Sequence, residues 1–118
     1  MQPQPSAVAR ATFRGNNEIA FHVPDLAKAE AFYSGVLGFT VVSRTDDMLE
    51  IDAGGIRLYP ILNPDRVMPY IPSIDVPNYT EARRALEAAG CTTVSAGPHS
   101  SMVYFTDPFG LVFDIVER

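Results

Sequence analysis

The chain has 118 residues, 47% of them hydrophobic, with a formal net charge of −5 and an isoelectric point near 4.8. That length fills one compact core and is too short for two independent ones. The acidic balance argues against nucleic acid and against an anionic membrane as partners. No apolar run reaches the roughly 18 residues a membrane span needs, and the N-terminus lacks a charged and apolar leader, so a cytoplasmic protein is expected.

Residues 1–16, rich in Pro, Gln and Asn, show no sustained period and are expected to form a flexible N-terminal arm, with one domain over 17–118. From Glu18 to Val23, Ile19, Phe21 and Val23 alternate with Glu18, Ala20 and His22, the pattern of a half-buried strand. Pro24 stops it, Asp25 offers an N-cap, and Ala29, Phe32, Tyr33, Val36 and Leu37 fall at helical spacing up to a terminating Gly38. Three short strands follow at Phe39 to Arg44, Met48 to Asp52 and Ile56 to Leu62. Pro60, Pro64, Pro69 and Pro72 then mark a connection with at most edge-strand character at its ends.

The second half repeats the first. Ile74, Asp75, Val76, Pro77 and Asn78 answer Phe21, His22, Val23, Pro24 and Asp25 at an offset of 53 residues. Asn78 and Glu81 suit a helix start, Ala82, Ala85, Leu86 and Ala89 form an apolar stripe, and Gly90 ends the helix as Gly38 ended the first. Strands at Thr92 to Ser95, Ser101 to Thr106 and Leu111 to Glu117 complete the unit, the last two joined by the turn Asp107-Pro108-Phe109-Gly110. The duplication therefore divides the domain into module 1 (about 18–62), a linker (about 63–69) and module 2 (about 70–117). On the closing strand Leu111, Phe113 and Ile115 share a core face. Asp114 lies between Val112 and Val116 on the other, where a carboxylate needs a partner, a proton or water.

The single cysteine, Cys91, excludes an intrachain disulfide and a CxxC metal knuckle, and with no basic neighbour it reads as an inert thiol. Gly54-Gly55 leads into no helix and is a turn between strands, so it is no phosphate loop. No serine or threonine stands in a recognisable nucleophile setting, and no catalytic residue is named. His99, in a Gly-Pro-His-Ser loop, reads as a solvated surface histidine.

The repeat, together with Val23-Pro24-Asp25-Leu26, Phe32-Tyr33, Leu37-Gly38-Phe39, Gly54-Gly55 and Asp107-Pro108-Phe109-Gly110, resembles the vicinal oxygen chelate superfamily over residues 18–117. That superfamily includes glyoxalases, bleomycin-resistance proteins and extradiol dioxygenases. The resemblance implies an α+β fold of two βαβββ modules, their strands forming a curled mixed sheet around a cleft, with one helix on the outer face of each module. It also implies a homodimer, in keeping with the unpaired strand edges of an open sheet.

The family's metal positions correspond to Glu18 and Tyr59 in the first module and Ile71 and Asp114 in the second. An isoleucine has no lone pair to give and a neutral tyrosine is a poor ligand, so no metal or other cofactor is expected. Taking those positions as phase markers, strand parity gives a ligand-binding set of Glu18, His22, Arg57, Tyr59, Ile71, Asp75, Met102, Tyr104 and Asp114. Asp75 is the repeat-mate of His22, and a carboxylate beside the imidazole, as a structural ion pair or as an acid–base pair, would raise its pKa. The expected function is metal-independent binding of a small cationic or aromatic molecule. The alternative is a divalent-metal-dependent lyase, isomerase or dioxygenase with a reduced ligand set, Glu18 and Asp114.

Overall fold

The structure, a computed structural model, describes residues 11–118. Ten residues of the expected flexible arm lie outside the described part. The chain forms two compact units. The first comprises Asn17–Pro72 with Ser95–Met102, and the second the described part of 1–16 with Ser73–Val94 and Val103–Arg118.

The first unit is built on β1 (Arg14–Val23, entering the unit at Asn17), α1 (Leu26–Glu30), β2 (Thr40–Arg44), β3 (Leu49–Asp52) and β4 (Arg57–Leu62), in the sheet order β2-β3-β4-β1. β1 runs parallel to β4 with Glu18 opposite Arg57 and His22 opposite Ile61, whereas β3 is antiparallel to both β2 and β4. One face of this sheet buries Phe21, Leu49, Ile51 and Leu58, with Ile19, Tyr33 and Phe39 packed on them. These are the apolar phases of the alternating strands.

Asp25 caps α1 as its side-chain chemistry requires, accepting from the Lys28 amide at 3.0 Å. The helix then departs from expectation. Residues Ala31–Val36 form a π-helical turn in which the Leu37 amide reaches back to the Phe32 carbonyl. A bond five residues back inserts one residue into the turn and breaks the 3.6-residue phase. The apolar stripe therefore splits: Ala29 is buried and Tyr33 half-buried, while Phe32, Val36 and Leu37 are 48%, 71% and 45% exposed.

The second unit contains α2 (Tyr79–Ala88), β6 (Thr93–Ser95, of which Ser95 passes to the first unit), β7 (Val103–Thr106), β8 (Val112–Glu117) and the C-terminal half of β5 (Met68–Val76), in the order β5-β8-β7-β6. β5 is parallel to β8 from Ser73 opposite Asp114 to Val76 opposite Glu117, and β7 is antiparallel to β8. α2 packs Ala82 against Val76, Phe105 and Ile115, with Phe113 stacked on Phe105 at 6.0 Å. Asn78 caps the helix by accepting from the Glu81 amide at 2.9 Å, and Glu117 takes the Tyr79 amide at 2.7 Å. Both helices run out into a glycine at positive φ, +77° at Gly38 and +92° at Gly90, as their matched sequence positions predict.

Two strand expectations need correction. β5 extends back to Met68 through Pro69 and Pro72, which the proline density disfavoured. Both prolines are exposed, and the ladder with β8 begins at Ser73, beyond the last of them, so neither has to supply an amide donor to it. Leu111 is 68% exposed because β8 begins only at Val112, leaving it in the turn, while Ile115 of the same parity is core.

Candidate functional site

The sequence Leu49-Glu50-Ile51-Asp52 is a strict alternation: Leu49 and Ile51 are buried, which puts Glu50 and Asp52 on the other face of the first unit's sheet. β4 adds Arg57 and Tyr59 to that face, and β1 adds Glu18, register partner of Arg57. The Arg57 guanidinium donates to Glu50 Oε2 at 2.5 Å and lies 3.9 Å from Asp52 Oδ2. The Tyr59 hydroxyl donates to the same Glu50 oxygen at 3.4 Å. Burial raises the Tyr59 pKa, and the Glu18 and Glu50 carboxylates raise it further, so the phenol stays protonated and keeps its proton to donate. Three carboxylates thus surround one guanidinium and one phenol, and the face is net negative.

His22, on β1, has no exposed surface. Its Nδ1 meets the Asn63 side-chain amide at 3.0 Å, and that NH2 group also donates to the Ala96 carbonyl at 2.7 Å. Asn63 Oδ1 in turn accepts from the Asp65 and Arg66 amides. Because an amide NH2 only donates, Nδ1 must present its lone pair, and the imidazole is neutral. The expectation of a raised pKa is overturned: burial, followed by the Arg66 charge, lowers it. Arg66 also donates to the Ser95 carbonyl, and the His99 ring and amide both bind Asp65. The segment after β4 is thereby stapled to Ser95–Met102, and His99, exposed as expected of a loop residue, is hydrogen-bonded to Asp65.

Of the remaining expected ligand residues, Ile71 is 1% exposed and Met102 is 41% exposed, its carbonyl accepting from the Ala96 amide. In the second unit Ser73 is in register with Asp114, and continuing the β7–β8 register puts Tyr104 opposite Asp114. Burial pushes the Asp114 carboxyl up to about 6, and burial together with that carboxylate raises Tyr104. Asp75 accepts from Asn16 at 2.8 Å and from Arg118 at 3.1 Å. The first unit therefore brings together Glu18, Arg57 and Tyr59, and the second pairs Tyr104 with Asp114.

Sequence reasoning missed Glu50, Asp52 and Asn63. The alternation on β3 carried the signal for the first two. Asn63 sits in the proline-rich connection, where no periodicity could mark it.

The positions implied for a metal do not fit one. Ile71 is buried and has no donor atom, Tyr59 is a protonated phenol, and the added carboxylate, Glu50, is already bound to Arg57. Among the described residues no three His, Cys, Asp or Glu side chains converge in ligating geometry.

Comparison with known proteins gives a family match and several structural likenesses. The family model described as Glyoxalase/Bleomycin resistance protein/Dioxygenase superfamily matches residues 15–115. No curated protein matches. Among solved structures, homoprotocatechuate 2,3-dioxygenase from Brevibacterium fuscum, in its anaerobic complex with 3,4-dihydroxyphenylacetate, aligns with a TM-score of 0.66 at 17% identity, over 98% of this chain and 40% of that one. A variant of the same enzyme gives 0.66 at 16% identity, over 98% and 35%. A hypothetical protein of Bacillus halodurans C-125 gives 0.64 at 12% identity, over 91% and 95%. This chain spans two fifths or less of those dioxygenase chains, and the likeness is one of fold.

Proposed function

Because the chain belongs to the glyoxalase/bleomycin resistance protein/dioxygenase superfamily, we propose that it binds a small cationic or aromatic molecule and does so without a metal. The observation that carries this reading is the Glu18, Glu50 and Asp52 carboxylates grouped about Arg57 and Tyr59 on one sheet face. A protonated amine is attracted by such a net-negative face, and a tyrosine ring offers stacking area to a planar or cationic ligand. Arg57 donates to Glu50 and fixes the orientation of its carboxylate. A homodimer belongs to the same reading and is supported by large apolar side chains left open, Val36 at 71%, Val67 at 64% and Phe109 at 88% exposure.

A thermal-shift titration with an aromatic amine such as tyramine tests the proposal. Saturating ligand, at roughly 100 times its dissociation constant, is expected to stabilise the protein by about 2.7 kcal/mol. Glu18→Gln should weaken binding about tenfold, a loss of about 1.4 kcal/mol. The carboxylate analogue lacking the amine should bind weakly to both proteins. Equal shifts with the amine and the acid, or an unaffected Glu18→Gln, would contradict the proposal.

A further inference from the structure

We propose that the second unit holds an additional site, for a small oxyanion, in the cavity lined by Thr12, Arg14, Asp75, Val76, Pro77 and Arg118. The cavity measures about 300 Å³, at the lower end of the range for small-molecule sites. None of the residues in the acid-rich face takes part in it.

Three features of the chain build it. Arg14 and Asn16 share a phase at the start of β1 just after Thr12, and the Asn16 side chain donates to Asp75 Oδ1 at 2.8 Å. The Arg118 amide binds the Val76 carbonyl at 2.8 Å, which holds the end of β8 against the end of β5. From there the Arg118 guanidinium reaches the same Asp75 oxygen at 3.1 Å. Asp75 is therefore committed to Arg118 and Asn16, and its charge is balanced where it stands.

Arg14 is not balanced. It lines the cavity, and no side-chain hydrogen bond or ion pair joins its guanidinium to another described residue. In a chain of net charge −5, this concave spot is lined by two guanidiniums, Arg14 and the Asp75-bound Arg118. A guanidinium presents a planar fork of donors that matches two oxygens of a carboxylate or a phosphate, and the Thr12 hydroxyl supplies a further donor. An oxyanion bound there would neutralise Arg14. The ligand class is a small molecule carrying a carboxylate or a phosphate group.

Amide chemical-shift titrations with inorganic phosphate and with acetate, at ionic strength held constant with sodium chloride, test this and distinguish the two anions. Saturable shifts at Thr12, Arg14, Val76 and Arg118, with a dissociation constant on the order of 1 mM, are expected for at least one of them. The anion that saturates first identifies the group. Arg14→Gln should weaken binding at least tenfold, while Arg84→Gln, on the exposed side of α2, should leave it unchanged and so exclude a general charge effect. Should Arg14→Gln not fold, Arg14→Lys keeps the charge and removes the fork, and it too should bind more weakly. Shifts that chloride reproduces, no saturation with either anion, or an Arg14 variant that binds as tightly as the parent would overturn the site.

Discussion

Replacing Asn63 with alanine is expected to destabilise the protein by about 3 kcal/mol, measured as a lower denaturant midpoint at unchanged slope. Asn63 is 1% exposed and uses every polar atom of its side chain. Its removal takes away the donor to His22 Nδ1 and to the buried Ala96 carbonyl, and the acceptor of the Asp65 and Arg66 amides. Each buried polar atom left unpaired costs about 1–3 kcal/mol, far more than the net gain of making one such bond. The same network predicts an acid limb. The His22 pKa is lowered on folding, so its neutral form contributes stability that is complete above the unfolded value of 6.5 and is lost as pH falls through the lower folded value. A change below 1 kcal/mol in Asn63→Ala would show that the network is not the fastener described here.

Asp114→Asn is expected to act in the opposite direction and to stabilise the protein at neutral pH by about 1–2 kcal/mol. Folding raises this carboxyl from 3.8 to about 6, chiefly through burial. A raised acid favours the folded state fully below the unfolded value and loses that contribution as pH rises through about 6, so at pH 8 the ionised group opposes folding. The full shift corresponds to about 3 kcal/mol, reduced because the side chain keeps partial contact with solvent. The neutral amide carries no such penalty. The variant should therefore be more stable than the parent at pH 8, with the difference fading toward pH 4. Equal stability at both pH values, or a loss at pH 8, would mean that the carboxylate has a partner that balances its burial.

Much of this architecture was legible because it rests on local chemistry. Asp25 and Asn78 cap their helices with short acceptors, Gly38 and Gly90 end them in a conformation that costs glycine nothing, and the alternation over Glu18 to Val23 places Phe21 in the core. The 53-residue offset between Pro24 and Pro77 anticipated two units of like build. What escaped depends on contacts distant in sequence. Nothing in Ala31 to Val36 announces a π-helical turn, which breaks the phase of the stripe in which Phe32 and Val36 are exposed. The prolines at 69 and 72 argued against a strand that is tolerated because its β8 ladder starts beyond them. Asn63 became central only through the return of Ser95–Met102, whose carbonyls it and Arg66 engage. At the candidate site, Glu18 and Tyr59 are positions that the family resemblance implies, and β1 and β4 carry them on one face of the first unit's sheet. Leu49 and Ile51 mark the phase of Glu50, but the family resemblance assigns no ligand position to its strand.

The electrostatics of the first unit follow from that overlooked residue. With Glu50 bound to both Arg57 and Tyr59, the face is a pre-oriented set of charges rather than a set of open donor positions for an ion. It is suited to attracting a cation that brings its own hydrogen-bond donors.

The most direct measurement is calorimetric titration of the aromatic amine into protein dialysed exhaustively against EDTA, repeated after a divalent metal has been restored. Affinity is predicted to agree within about twofold between the two preparations and to fall about tenfold in Glu18→Gln. Binding that disappears with the chelator and returns with one metal ion per chain would contradict the account.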